Sequence, residues 1–228
     1  MPKCDLIFSS KELKRILRLT DCELMHMRTS GQLEYQKRGN AFFYALPNDY
    51  SLLAHPLGKQ LLNWHIDKHP KTISNMPSEH SKYFLELLVA KILLPVEREF
   101  GALTITYGFT SSELTRYIKK HASNGTAPTL DQHASCEHNL KGNQVCERGG
   151  SACDFIVQST SMANVARFIT EHLPFDRIYY YGDSRPIHVS INNEPMRHLQ
   201  VMSESTAGRR IPGRKAFGDA AIKLSKGL

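Results

Sequence analysis

The chain has 228 residues, enough for one sizeable core or for a small domain beside a larger one. Hydrophobic residues make up 41% and charged residues 22%, the ordinary balance of a soluble globular protein, and no apolar run approaches the ~18 residues of a membrane span. The formal charge of +7 is uneven: residues 208–228 hold Arg209, Arg210, Arg214, Lys215, Lys223 and Lys226 against Asp219. Such a basic tail reads either as a contact for nucleic acid or an anionic surface, or as a solvated helix end. Five cysteines and no charged-then-apolar leader in the first 25 residues predict reduced thiols in a cytoplasm.

In chain order, residues 1–47 read as a small domain. Ser9 with Glu12, and Thr20 with Glu23, have capping-box spacing, each ahead of apolar positions at helical intervals (Leu13, Ile16 and Leu17; Leu24 and Met27). Gly31 is a helix stop, and two β-prone runs flank Arg38-Gly39-Asn40 as a hairpin. The stretch SGQLEYQKRGNAFFYAL, in this order after two helices, resembles the winged helix-turn-helix domains of excisionases and MerR-type regulators. The resemblance implies DNA binding, with Lys37 and Arg38 on phosphates and His26 and Arg28 near base edges. A small helical cap or protein-docking module is the plainer alternative.

Residues 48–80, with PND, HPLG, DKHPK and MPSEH, read as a linker carrying one short helix near 58–66, and His55, His65, His69 and His80 as surface histidines. Residues 81–207 then form an α+β domain. Leu85, Leu88, Val89, Ile92 and Val96 share one helical face, Pro95 bends that helix and Gly101 ends it. ALTITYGF alternates as a strand, SSELTRYIKKH is a helix capped by Ser111 or Ser112, and a strand runs through QVCERGGSACDFIV. SMANVARFITEHLPF is an amphipathic helix with Val165, Phe168 and Ile169 inward, followed by the strands RIYYYG and PIHVSI.

Three stretches carry metal-ligand chemistry: DQHASCEHN with His133 and His138, Gly150-x-Ala152-x-Asp154, and RPIHVSI with His188. Two histidines and a carboxylate are the donor set of a catalytic zinc that keeps its fourth position open. A cysteine site from Cys136, Cys146 and Cys153 is the rival, at spacings of 10 and 7 that fit no usual zinc finger. A Cys136–Cys146 disulfide is open to the chain only in an oxidising space.

Residues 83–191 resemble the zinc DD-peptidases, the LAS metallopeptidases that share a fold with Hedgehog signalling domains. EREFG, ITYGFTSSEL, DQH with GSACD, and PIHVS stand in the family's order. The resemblance implies an antiparallel sheet with flanking helices, and Zn2+ held by His133, Asp154 and His188. It also implies hydrolysis of peptide bonds in peptidoglycan, as in a phage or prophage lytic protein released to the wall by lysis. This chain departs from the family in three places. His133 and Asp154 are 21 residues apart, wider than the family's interval, which leaves His138 open as first ligand and requires a loop over about 136–149. Thr110 stands where the family has an arginine, for which Arg116 is a substitute. Pro186 and Arg185 stand at the general-base position, making Asp183 the nearest acid, with Glu137 and Glu147 as others. The alternative reading is a DNA-binding protein, acting through residues 1–47 and the basic tail, in which the zinc fold is structural or repurposed.

Overall fold

A computed structural model describes residues 6–121, 132–204 and 210–228. Its architecture is α+β, divided into two units, Met1–His55 and Pro56–Leu228.

In the first unit, β1 (Ile7–Ser9) leads into α1 (Ser10–Leu17), then α2 (Asp21–Thr29), β2 (Tyr35–Arg38) and β3 (Ala41–Ala45). Both capping boxes form: Ser9 and Thr20 accept from the N–H groups of Glu12 and Glu23, whose carboxylates bond back to the caps. Arg18 in the left-handed region turns the chain from α1 to α2, and Gly31 at φ +76° follows the end of α2. Central β3 pairs antiparallel with β1 and β2. Leu6, Phe8, Leu13, Ile16, Leu24 and Tyr44 fill the small core.

The second unit begins with α3 (Pro56–Asn63), inside the stretch expected to be a linker. That stretch is structural because Leu57, Leu61 and Trp64 are buried and its backbone bonds into the following turn. A long helical run follows: α4 (Glu79–Leu88), a π-helical turn (Val89–Leu93) and α5 (Leu94–Phe100). The expected bend appears as this wide turn just before Pro95, which has no N–H to continue the α ladder. Leu85, Leu88, Val89, Ile92 and Val96 are all fully buried.

The remaining elements are β4 (Leu103–Tyr107), α6 (Ser112–His121), β5 (Ser151–Val157), α7 (Met162–His172), β6 (Arg177–Tyr180), β7 (Ile187–Ile191), β8 (His198–Glu204), β9 (Arg210–Phe217) and α8 (Asp219–Ser225). The sheet order is β4-β5-β7-β6-β8-β9, antiparallel except for β6 beside β8. The described part of the basic tail is thus β9 and α8, an edge strand and a helix packed on α7, and not a free end. β5 starts at Ser151, later than its sequence suggests, because Gly149 and Gly150 have positive φ.

Strand alternation gives the sheet two different faces. One is apolar and buried, with Ile105, Phe155, Ile187, Val189, Ile178 and Leu199. The other carries a row of paired residues, Tyr107, Asp154, His188, Tyr179, Gln200 and Lys215. Tyr107 joins this row through a bulge at Thr106. Without that extra residue it would lie on the face of Ile105. No helix among the described residues is long and apolar enough to cross a membrane.

Candidate metal centre

Asp154 on β5 and His188 on β7 are direct cross-strand partners, so the sheet register alone sets them side by side. The His188 Nδ1 lies 2.8 Å from Asp154 Oδ1. His133 arrives from a short 3-10 turn, Gln132–Ala134, with its Nε2 3.3 Å from Asp154 Oδ1 and 3.2 Å from His188 Nδ1. One donor atom from each residue lies within 4.8 Å of the others, and this is the group of metal-ligating side chains found among the described residues. His133 is buried, and Asp154 and His188 are partly so.

Both flanks of His133 are tied down. Gln132 Nε2 donates to the Gly149 carbonyl at 3.1 Å and to Asp176 Oδ2 at 3.0 Å, and the Ser135 hydroxyl donates to the Gly150 carbonyl at 2.6 Å. These bonds carry His133 to the mouth of the strand that holds Asp154. Gly150 is required there: its φ is +78°, and an added Cβ would lie 2.2 Å from the Ile191 carbonyl oxygen.

The imidazole of His133 is oriented by the Gly108 carbonyl, 3.1 Å from Nδ1. A proton on Nδ1 bonds that oxygen and leaves the Nε2 lone pair facing Asp154 and His188. Gly108 is in turn fixed by the supposed linker. A Cβ there would sit 2.2 Å from the Leu61 carbonyl oxygen, which accepts from Phe109 N–H, while Trp64 and Asn75 side chains donate to the Phe109 carbonyl. The Tyr107 ring packs edge-on to His133 at 4.6 Å and against Trp64 at 4.0 Å. Across the site, Tyr179 packs on His188 at 5.0 Å.

Burial acts to raise the Asp154 carboxyl, but the neighbouring imidazoles of His133 and His188 outweigh it and hold the group below the ordinary carboxylate range. An anionic oxygen beside two imidazole nitrogens is a donor set suited to a borderline cation such as Zn2+. As ligands of a tetrahedral ion, these three donors would leave a fourth position for water or substrate.

Of the two candidate first ligands, His133 belongs to the group, whereas His138 is exposed in a hairpin, bridged to Gln144. The extra loop is accommodated at the start of α4, where Glu137 accepts from Ser78 N–H and the Ser81 hydroxyl. That contact engages Glu137, and Glu147 is exposed. Cys136, Cys146 and Cys153 form no metal-ligating group.

The two expected catalytic residues have contacts of their own. Asp183 Oδ1 accepts from the Tyr180 hydroxyl and from Ala163 N–H, placing the carboxylate at the start of α7. Tyr180 alternates with Tyr179 along the strand, so the residue that Asp183 accepts from lies on the face opposite to His188. Arg116 is exposed on α6 and donates to Ser112 of its own helix. In the first unit Lys37 and Arg38 are exposed. Arg28 instead lies over the Phe42 ring at 3.9 Å and donates to the Tyr44 hydroxyl, so it is held by the hairpin. His65, expected on the surface, is buried, and its Nδ1 lies 3.1 Å from the Leu62 carbonyl.

Gln132, Gly108, Tyr107 and Tyr179 shape the site without having been singled out from sequence. Gln132 beside His133 was the readable hint; the bulge that turns Tyr107 had none. Searches against protein-family models, curated proteins and solved structures gave no match to this chain.

Proposed function

We propose that the chain is a zinc-dependent peptide hydrolase of the DD-peptidase type, acting on peptide bonds of peptidoglycan. The observation that carries this reading is the meeting of His133, Asp154 and His188, far apart in sequence, at one point on the sheet face that also carries Tyr107 and Tyr179. A zinc ion held there supplies Lewis acidity, which makes water nucleophilic near neutral pH and polarises a carbonyl. The chain's own contribution is positional. The Gly108 carbonyl fixes the tautomer of His133, Asp154 stays ionised, and the β5–β7 pair holds Asp154 and His188 in register. Tyr107 and Tyr179 wall the two sides and limit water around the ligands.

A pocket of about 240 Å³ is lined by Tyr181, Arg185, Met202, Ser203, Glu204 and Arg210, with Arg185 paired to Glu204 at 3.7 Å. Arg210 lies 4.6 Å from the Tyr181 ring. Burial and the nearby Asp154 charge push the Tyr181 phenol up to about 12.

The test is metal content with cell-wall hydrolysis. The native protein is expected to carry one zinc per chain and to release dye from labelled walls, and Asp154→Ala and His188→Ala to lose both. Unchanged zinc in the two variants sinks the ligand assignment; intact zinc binding without wall hydrolysis sinks the substrate.

A second reading is favoured by one observation, the full exposure of β2 with Lys37 and Arg38 beside a two-residue turn. On this reading the first unit binds DNA through the hairpin, and the metal-ligating group serves structure or other chemistry.

A further inference from the structure

The hairpin of the first unit has two unlike faces. Tyr35 pairs with Tyr44 and Lys37 with Phe42, so strand alternation sets these four side chains on one side. Gln36 and Phe43 take the other side, where the Arg38 guanidinium lies 5.1 Å from the Phe43 ring centre. The first face is aromatic and cationic at once. Tyr35 meets Phe42 edge-on at 5.6 Å and Tyr44 at 6.3 Å, and Lys37 Nζ lies 5.8 Å from the Phe42 ring centre. Arg28 reaches this face from α2, 3.9 Å over Phe42, and donates to the Tyr44 hydroxyl at 3.2 Å.

Exposure rises across this face. Tyr44 is buried and Phe42 half-buried, whereas Tyr35 is 49% exposed on the edge strand β2, with Lys37 exposed two residues on. The tyrosine therefore keeps ring area open to solvent while Phe42 supports it from the side. Neither strand carries an acidic residue. A guanidinium has five N–H donors, of which the Arg28–Tyr44 bond uses one. A partner with phosphates and flat apolar rings matches this combination of fixed cation, mobile cation and open aromatic ring. In a duplex the base faces are stacked on one another and only their edges are open in the grooves, so Tyr35 has nothing to stack on. An unpaired strand offers both phosphates and base faces. Arg28 also argues against reading base edges, because Phe42 and Tyr44 hold its guanidinium against the hairpin.

We propose that this face of the hairpin binds single-stranded nucleic acid, with a base stacked on Tyr35 and neighbouring phosphates held by Lys37 and Arg28. The inference rests on the second reading above, in which the first unit contacts DNA, and names the ligand as an unpaired strand.

Fluorescence anisotropy on the full-length protein compares three labelled probes of one mixed sequence: a DNA strand, an RNA strand and the DNA duplex. At least one single strand is expected to bind about tenfold more tightly than the duplex, and the tighter of the two identifies the sugar of the ligand. Tyr35→Leu keeps apolar bulk beside Phe42 but has no π face. It is expected to weaken strand binding about tenfold and to leave the slope of log affinity against log salt unchanged, since stacking releases no counterions. Tyr35→Phe is expected to bind like the native protein. A strand carrying 5-iodouracil, irradiated in complex with the native protein, is expected to crosslink to the tryptic peptide of residues 29–37, in which Tyr35 is the only aromatic residue. This readout does not depend on a variant folding. Duplex binding as tight as strand binding, native affinity in Tyr35→Leu, or crosslinks confined to other peptides overturns the inference and leaves the second reading in place. Absence of binding to all three probes overturns both.

Discussion

In the first unit, Lys37 and Arg38 stand exposed on a two-residue-turn hairpin, and Arg28 on the second helix is held by Phe42 and Tyr44 of that same hairpin. In the second, the groups come from positions 133, 154 and 188 and meet only because a sheet, two glycines and a buried ion pair bring them together. The lesson concerns support. Surface residues such as Lys37 can change without disturbing their scaffold, whereas the metal-ligating group depends on residues that never touch it.

The sharpest way to probe this difference is Asp176. Fully buried, it pairs with Arg148 and accepts from Gln132 and from Met196 N–H, linking the turn of His133 to β6. Asp176→Ala leaves Arg148 without its partner and is expected to cost about 3–5 kcal/mol in chemical denaturation. Burial acts to raise the Asp176 carboxyl, yet the Arg148 and Met196 bonds hold it below its ordinary value. Its folded-state pKa is depressed, so its contribution is complete above the unfolded pKa of about 4 and is lost as pH falls through the folded value. Denaturation at pH 7 and pH 3 should show the variant's deficit shrinking in acid. A deficit independent of pH would mean that Asp176 matters only for packing.

A smaller effect tests the surface character of the first unit. If the hairpin contacts DNA, Lys37→Ala with Arg38→Ala should weaken binding about tenfold and lower the slope of log affinity against log salt by about 2. The thermal transition should remain unchanged. Binding insensitive to both changes would remove the hairpin from the DNA reading.

The smallest expected effect is Thr20→Ala at the cap of α2, about 1 kcal/mol. It should leave zinc content unaltered. A cap variant that also lost zinc would blur the distinction between local and long-range support.

Much of the local structure was legible in the chain. Ser9-x-x-Glu12 and Thr20-x-x-Glu23 cap the helices they announced, and Leu85, Leu88, Val89, Ile92 and Val96 face the core together. Those signals are legible because the interacting groups lie three or four residues apart. The domain edges were not. Residues 56–75 have linker-like composition, yet Leu61, Trp64 and Asn75 lock the Gly108–Ser111 turn, and polar composition does not disclose a distant backbone partner. The same holds for Asp183, whose nearness to His188 in sequence says nothing about which side of the sheet holds its carboxylate.

By itself, the sequence determined the donor types and their order: a histidine after a polar loop, an aspartate behind Gly-x-Ala, and a histidine in an apolar strand. Residue chemistry and strand periodicity are local properties, so these could be read directly. Tertiary structure decided the remainder. It placed His133 and not His138 with Asp154 and His188, turned Tyr107 onto their face through one bulged residue, and sent Asp183 to a helix. Those choices depend on register and on backbone contacts across tens of residues, where a shift of one position moves a side chain to the opposite face of the sheet.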